Sequence, residues 1–275
     1  MTSSKTPHGL LRELARRAGL SDPEIDEYLT GQTPEPFHCA AVITCMGRLR
    51  HLRRSLPALL ERSSMPVVLV DYSCPDGCGE WAEAEVLKHP HPLGMRLFVV
   101  SVPGQRHFNK CAALNHGLRE AARQWPGWLL VLDADTIIGP GLEAWLRDNV
   151  LRGSFCFMQG HQARRDLSGL VAMHSSDYQR SGGYDEGFNG WGCEDWDMRC
   201  RLHFGHGLPF RDIPWQLAEP IAHSDAERSE HYATNKQASY RENWARLNAN
   251  VAGWTGHELA KLDARAVRAL FGGMW

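Results

Sequence analysis

Residues 128–140 read WLLVLDADTIIGP, and this stretch decides the fold. Five apolar residues run without interruption into Asp133 and Asp135, and Gly139 and Pro140 then end the run. Continuous rather than alternating apolar character is typical of a strand that is buried on both faces, as in a parallel sheet. The two aspartates therefore mark the carboxyl end of a buried strand.

Three similar apolar runs precede this one at intervals of about 30 residues: AAVITC from Ala40, VVLVD from Val67 and RLFVVSV from Arg96. Helical patterns or turn signals separate the runs, as in LRHLRRSLPALLERS and NKCAALNHGLREAARQW. Strands that alternate with helices predict an α/β fold with a Rossmann-like, mostly parallel sheet flanked by helices. Ligands bind at the carboxyl ends of such strands, where Thr44, Asp71 and the aspartate pair fall.

Length and composition favour one large domain with appendages. The chain has 275 residues, of which 43% are apolar, enough to bury one sizeable core. We predict a helical N-terminal appendage over residues 1–36, a domain over 37–230 with halves 37–150 and 151–230, and a C-terminal helical segment over 231–275. Ser21 would cap the second helix of the appendage.

Charge and hydropathy exclude several classes of partner. The net charge of −2 provides no basic field for nucleic acid or for an anionic membrane. No run of about 18 uncharged apolar residues could span a bilayer, and the N-terminus lacks the apolar core of a signal peptide. We therefore expect a cytoplasmic protein with no integral membrane segment and no nucleic-acid partner.

The eight cysteines are scattered through apparent core and loop segments. A chain of this length does not need disulfides to fold, so we expect reduced thiols. One spacing stands apart, because Cys74 and Cys78 could form a zinc site with His89 and His91. The ligand spacing is irregular, and free cysteines in a loop are the favoured interpretation.

The strand-end aspartates indicate a divalent metal. Buried carboxylates are costly unless a cation meets them, and oxygen ligands suit Mg²⁺ or Mn²⁺ while phosphate oxygens fill the remaining positions. His223, in the polar loop EPIAHSDAERSEHY, would favour Mn²⁺ over Mg²⁺ as a mixed-ligand site. The alternatives are that Asp133 and Asp135 cap a turn and that His223 has a structural role.

A cluster of acidic residues follows a glycine-rich turn in residues 182–202, which read GGYDEGFNGWGCEDWDMRCRL. Glu194 and Asp195 are expected at the start of a helix, where the helix dipole stabilises anions. Such a carboxylate can bind a hydroxylated substrate and accept a proton from an attacking hydroxyl, although simple charge complementarity at a helix end remains the alternative. Trp191 and Phe188 offer flat apolar faces to a sugar ring, and Asp197 is expected to form a salt bridge.

Four segments together carry a family resemblance: HFNKCAALNHGL, VLDADTIIGP, SGGYDEGFNGWGCEDWDMRCRL and IAHSD. In order and spacing they resemble GT-A fold glycosyltransferases, specifically family 2 transferases with a C-terminal segment of the galactosyltransferase or polysaccharide-synthase type. The resemblance covers about residues 38–245. It implies that residues 37–150 bind a nucleotide sugar and that residues 151–230 bind the acceptor.

The resemblance also implies roles for individual residues on the donor side. Asp135, Asp133 and His223 would hold Mn²⁺ (or Mg²⁺) and, through it, the diphosphate of a UDP-sugar. The other implied donor contacts are Asp71 to the uracil or ribose, Thr44 and Arg48 in the nucleotide pocket, and Asn109 and Lys110 near the sugar. Three residues before the histidine, where similar galactosyltransferases have a sulfur-bearing metal ligand, this sequence has Pro220.

On the acceptor side the resemblance implies that Trp191, Glu194 and Asp195 bind the acceptor sugar, with Asp195 as general base. One base without a nucleophile gives inversion at the anomeric carbon. The expected activity is metal-dependent, inverting transfer of a hexose from a UDP-sugar to a hydroxyl or other nucleophile of a saccharide, small-molecule or peptide acceptor.

Two other functions stay open at this point. A nucleotidyltransferase of similar fold would carry a glycine-rich phosphate loop after the first strand, where TCMGRLRHL offers only Gly47 and Arg48. A non-catalytic sugar-binding protein would have a degenerate site, whereas Asp135, Asp195 and His223 are all present.

Overall fold

The four apolar runs form four parallel strands in the computed structural model, which describes residues 21–22, 37–86, 88, 96–158, 165–258 and 261. The strands are β1 (Cys39–Cys45), β2 (Val67–Asp71), β3 (Leu97–Ser101) and β4 (Trp128–Asp133). The helices between them are α1 (Leu49–Arg62), α2 (Cys78–Val86) and α3 (Lys110–Gln124). The register sets Thr44 opposite Asp133 and Cys45 opposite Asp71, so the polar strand ends meet at one edge of the sheet.

The second half of the chain adds shorter elements. Its strands are β5 (Thr136–Ile138), β6 (Phe155–Phe157), β7 (Val171–His174), β8 (Phe210–Asp212) and β9 (Ala218–Pro220). Its helices are α4 (Leu142–Asn149), α5 (Ser175–Arg180), α6 (Glu194–Cys200), α7 (Asp225–Ser229) and α8 (Lys236–Thr255), and a π-helical turn over Arg201–Gly205 continues α6.

Seven strands form one sheet in the order β3-β2-β1-β4-β7-β6-β8, and β5 pairs with β9 in a separate two-stranded sheet. Among the described strands of the large sheet, only β7 runs antiparallel to its neighbours. This arrangement confirms the predicted α/β class with a mostly parallel sheet flanked by helices.

The central strands β1, β2 and β4 are buried on both faces, as their continuous apolar runs predict. On β1, Ala41 and Ile43 belong to the apolar cluster that includes the leucines of α1. Ala40 and Val42 belong to a second cluster with the apolar residues of α3. At Gly117 of α3 a Cβ atom would lie 2.6 Å from Val42 Cγ1, so glycine permits the close approach of this helix to the sheet.

Helix α8 packs against α6 and holds the glycine-rich turn that precedes it. Asn243 donates hydrogen bonds to the backbone carbonyls of Asn189 (2.9 Å) and Gly192 (2.8 Å). The chain from residue 236 to 255 is therefore integral to the packing of the second half.

Three sequence predictions involve residues outside the described ranges, and one of them is the C-terminal helical segment over 231–275, which is described only through residue 258 and at residue 261. The N-terminal appendage is described only at Ser21 and Asp22, and His89 and His91 of the possible zinc site are not described. Within the described part of the chain, no helix combines the length and the apolar character that crossing a membrane requires.

Candidate active site

A cavity of about 390 Å³ lies at the carboxyl ends of β1 and β4. The first turn of α3, the start of α6 and one face of α8 complete its wall. Nine of the eleven site residues predicted from the sequence line it: Thr44, Arg48, Lys110, Asp133, Asp135, Trp191, Glu194, Asp195 and His223. The remaining two, Asp71 and Asn109, are not among its lining residues.

Asp135 and His223 are brought together by the small sheet. Because β5 pairs with β9, the Ile221 amide donates to the Asp135 carbonyl at 2.7 Å, and His223 follows directly. His223 Nδ1 lies 3.3 Å from Asp135 Oδ2 and 3.0 Å from the Ile221 carbonyl oxygen. A proton on Nδ1 donated to that carbonyl leaves the Nε2 lone pair available to a metal.

The carboxylate of Asp135 is buried near a second carboxylate, that of Asp133. Burial, followed by the charge of Asp133, raises the pKa of Asp135 to about 6, against the weaker opposing effects of His223 and Arg48. A carboxylate and an imidazole that line the same end of the cavity are ligand types that fit a divalent ion such as Mn²⁺. The residues present at this end of the cavity therefore fit the metal that the resemblance implies.

Lys110 lies at the centre of three carboxylates. Its Nζ atom is 3.0 Å from Asp133, 3.2 Å from Glu194 and 3.3 Å from Asp195. Burial lowers the pKa of Lys110, but the charges of the three carboxylates outweigh burial and hold that pKa well above its usual range. Because Asp133 Oδ1 and Asp195 Oδ1 both contact Lys110 Nζ, these two oxygens are at most about 6.3 Å apart.

Gly169 makes room for the ion pair between Lys110 and Asp133. A Cβ atom at this position would lie 2.2 Å from Asp133 Oδ2 and 3.2 Å from Lys110 Nζ. Any side chain here would displace the carboxylate, so the loop before β7 helps to fix Asp133 beside the lysine.

Helix α6 begins at Glu194, as the sequence predicts, and its N-cap residue is Cys193. Cys193 has a φ of 74°, a left-handed conformation that non-glycine residues adopt at a cost of about 1–2 kcal/mol. Burial and the charge of Asp195 raise the pKa of Glu194 to about 6, while Lys110 acts in the opposite direction. Glu194 can therefore gain or lose a proton close to neutral pH.

An aromatic wall, formed by Trp191, Tyr240 and Trp244, closes the cavity on the side of α8. The ring centroids of Trp191 and Tyr240 are 5.8 Å apart, and Tyr240 stacks on Trp244 at 6.3 Å. Lys236 Nζ lies 4.2 Å from the Trp191 ring centroid, and Tyr240 is 43% exposed. Flat, partly exposed rings of this kind can pack against a sugar ring.

Acidic side chains outnumber basic ones among the described residues that line the cavity. The carboxylates are Asp133, Asp135, Asp166, Glu194, Asp195 and Glu227, and the lysine and arginine residues are Arg48, Lys110, Arg199 and Arg228. A bound diphosphate would add further negative charge to this wall, and a divalent cation would offset it.

Solved structures with the same architecture identify the fold. TarS 1-349 of S. aureus, in complex with UDP-GlcNAc, aligns with a TM-score of 0.61 and 12% identity over 86% of this chain and 73% of that one. GalNAc-T7 with UDP, GalNAc and Mn²⁺ aligns with a TM-score of 0.58 and 13% identity over 87% of this chain and 55% of that one. This chain has the GT-A fold of glycosyltransferases. The fold predicted from the resemblance is confirmed.

Sequence comparisons agree with the GT-A assignment over a limited stretch. Residues 160–216, which contain Glu194 and Asp195, match the family model described as the N-terminal domain of galactosyltransferase. A validoxylamine A glucosyltransferase of Streptomyces hygroscopicus subsp. jinggangensis (strain 5008) is 49% identical over 39 residues. That match spans 14% of this chain and 9% of the relative's length.

Asp71 and Asn109 of this GT-A domain have other partners. The Asp71 carboxylate accepts hydrogen bonds from the backbone amides of Cys74 (2.8 Å) and Gly79 (3.1 Å). Asn109 caps α3 through the Ala112 amide (3.0 Å) and donates to the Glu186 carbonyl (3.0 Å). Their contact with the donor stays a prediction.

Two expectations for residues 182–202 have different outcomes. Asp197 forms an ion pair with Arg201 and accepts a hydrogen bond from Asn250 at 2.7 Å, so its predicted salt bridge is confirmed. Phe188 is only 3% exposed and belongs to the apolar core, so the expectation that its face meets a sugar is wrong.

Sequence reasoning missed the segment after His223. Arg228, His231 and Tyr232 line the cavity, and the Phe108 amide donates to the His231 carbonyl at 2.8 Å. The Phe108 and Tyr232 rings stack with centroids 5.9 Å apart. The charged and aromatic run DAERSEHY, residues 225–232, could have indicated these cavity residues, because it is too polar for a core segment.

Proposed function

We propose that the protein is a glycosyltransferase that transfers a hexose from a UDP-sugar to a hydroxyl or other nucleophile, with inversion and with a divalent metal, preferably Mn²⁺. One observation carries the proposal: a single cavity is lined by both the Asp135–His223 pair and the Glu194–Asp195 pair. Within it, Lys110 links Asp133 to Glu194 and Asp195. The neighbours TarS and GalNAc-T7, crystallised with UDP-GlcNAc and with UDP, GalNAc and Mn²⁺ respectively, support the class of donor.

On the donor side, Asp135 and His223 would hold the metal, and Thr44 and Arg48 would line the nucleotide pocket. When bound, a divalent cation would neutralise the charge that develops on the leaving diphosphate. The excess of carboxylates around the cavity supports metal dependence, since the chain's own lysine and arginine residues do not balance them. Asp133, bonded to Lys110 at 3.0 Å, would meet the donor together with that lysine.

On the acceptor side, Asp195 would be the general base. Both of its carboxylate oxygens lie 3.3 Å from Lys110 Nζ, which holds the carboxylate in the cavity, where it would accept the proton of the attacking hydroxyl. Glu194 would bind a second hydroxyl of the acceptor, and Trp191 would pack against its sugar ring. The short span between Asp133 and Asp195 supports donor and acceptor binding side by side.

The direct test is mass spectrometry of UDP release over a panel of UDP-sugars and saccharide, small-molecule and peptide acceptors, with and without Mn²⁺. We expect UDP release that requires the metal, is abolished in Asp135→Asn and is retained in Asp148→Asn. Asp148 is a suitable control because it is exposed on α4 and does not line the cavity. Pyrophosphate release from UTP and a sugar 1-phosphate, without UDP release, would instead establish the nucleotidyltransferase alternative.

A further inference from the structure

Three of the eight cysteines converge on one point at the edge of the sheet. Cys45 ends β1, Cys74 lies in the loop after β2, and Cys78 is the first residue of α2. Their sulfur atoms all lie within 4.8 Å of one another. All eight cysteines fall in the described part of the chain and each is a free thiol.

The sulfur separations suit a shared metal ion. Two thiolates bound tetrahedrally to one zinc ion at about 2.3 Å stand about 3.8 Å apart. The Sγ atoms of Cys45 and Cys74 are 3.9 Å apart, whereas a disulfide would bring them to about 2.05 Å. The observed pair therefore has the spacing of two ligands of one ion.

The surrounding backbone holds these sulfurs in place. The Gly47 amide donates to Cys74 Sγ at 3.3 Å, the kind of outer contact that orients and stabilises a metal-bound thiolate. Asp71 fixes the loop between the second and third cysteines, because its two oxygens accept the amides of Cys74 and Gly79.

We propose that Cys45, Cys74 and Cys78 bind one zinc ion through three thiolates, with the fourth position open to water on the side of Cys74. Cys45 and Cys78 are fully buried, whereas Cys74 is partly exposed and provides the entry path. Three soft sulfur ligands select zinc over the harder Mg²⁺ and Mn²⁺. This site is separate from the cavity metal and does not depend on the proposed transfer reaction.

The zinc ion would join the loop after β1, which carries Arg48 of the proposed nucleotide pocket, to the loop after β2. Cys45 lies three residues before Arg48, and Cys74 lies three residues after Asp71, which ends β2. A metal that links the ends of β1 and β2 with the start of α2 would fix the backbone that carries Thr44 and Arg48. The predicted role is structural, so its loss should be visible in thermal stability as well as in metal content.

The test measures zinc in the full-length chain produced in zinc-supplemented medium, by elemental analysis and by native mass spectrometry. We expect about one zinc per chain in the wild type and in Asp135→Asn, and a loss of at least about tenfold in Cys74→Ala. Cys39→Ala is the matched control and should keep the zinc, because Cys39 is a buried thiol at the opposite end of the same strand.

A second measurement uses the wild type, so its result does not depend on whether the variant folds. A chelator added to the wild type should lower Tm, stoichiometric zinc should restore it, and Co²⁺ in its place should give the intense absorption of cobalt–thiolate bonds. A wild type that neither contains nor takes up zinc, a Cys74→Ala chain that retains it, or a Cys45–Cys74 disulfide in the purified protein would each overturn the proposal.

Discussion

Replacing Lys110 with methionine should destabilise the fold in a pH-dependent way. Lys110 Nζ is the cation shared by Asp133, Glu194 and Asp195, all within 3.3 Å, and its side chain is only 11% exposed. At an effective dielectric constant of about 20, each such pair attracts by roughly 4 kcal/mol at 4 Å, and removing one partner of a buried pair costs about 3–5 kcal/mol net. We expect a loss of this size in the free energy of unfolding at pH 8.

The loss should shrink as the pH falls. The pKa of Glu194 in the folded protein, about 6, already exceeds the value of about 4.3 expected in the unfolded chain, and Lys110 acts to lower it. Without Lys110 the folded-state pKa rises further. A carboxyl group with a raised folded-state pKa loses stability as pH rises through that pKa, so the variant suffers most at pH 8 and least at pH 5.

Urea denaturation of the wild type and Lys110→Met at pH 5, 6, 7 and 8 measures this difference. Lys88→Met is the control, because Lys88 is 67% exposed in its pair with Glu85 and such surface pairs contribute about 0–1 kcal/mol. Equal stability of wild type and Lys110→Met at pH 8, or a deficit that does not change between pH 5 and pH 8, would refute the role of Lys110 as the shared counter-ion.

Three further changes test the remaining parts of the cavity. Asp195→Asn should lower turnover by about 10²–10⁴-fold while calorimetric UDP–Mn²⁺ affinity stays unchanged, and an active Asp195→Asn beside an inactive Glu194→Gln would reverse their roles. His223→Ala should weaken UDP binding in the presence of Mn²⁺ at least tenfold by calorimetry, and wild-type affinity would make the histidine structural. Gly169→Ala should lower Tm and activity because its Cβ meets a carboxylate, whereas Gly253→Ala, with open space around it in α8, should not lower Tm.

The strands in the first half of the fold could be predicted because the burial of a strand determines its pattern of apolar residues. A strand covered on both faces is apolar at most positions, and the runs that end at Cys45, Asp71 and Asp133 have that character. The polar residues at the ends of these runs then fall at one edge by the geometry of parallel strands. Most of the predicted donor-side residues line the cavity for this reason.

The partners of those residues could not be predicted in the same way. Asp133 and Asp135 are two positions apart, yet one meets Lys110 and the other meets His223, because the chain turns between β4 and β5. Only the pairing of β5 with β9 brings a histidine from about 90 residues downstream to that point. Pairing between strands so far apart in the chain produces no recognisable pattern in the sequence of either strand.

Helix α8 shows a second feature that could not be predicted from the sequence, namely which surface a helix face covers. Tyr240 and Trp244 are four residues apart and so share a helix face, but nothing in the spacing says which surface that face covers. Phe188 gives the opposite case, since a phenylalanine among glycines resembles a binding residue and is in fact part of the core. Exposure of an aromatic ring is decided by tertiary packing, which single-sequence patterns do not encode.

The place of α8 in the cavity wall has a consequence for how such proteins diversify. The helix contributes Tyr240 and Trp244 to the wall, while the aspartates stand on β4 and in the turn that follows it. Substitutions on the exposed face of α8 can alter the proposed acceptor pocket without disturbing the residues proposed to hold the diphosphate. Descendants of one ancestral gene could therefore keep a common donor and evolve new acceptors through changes in this single helix.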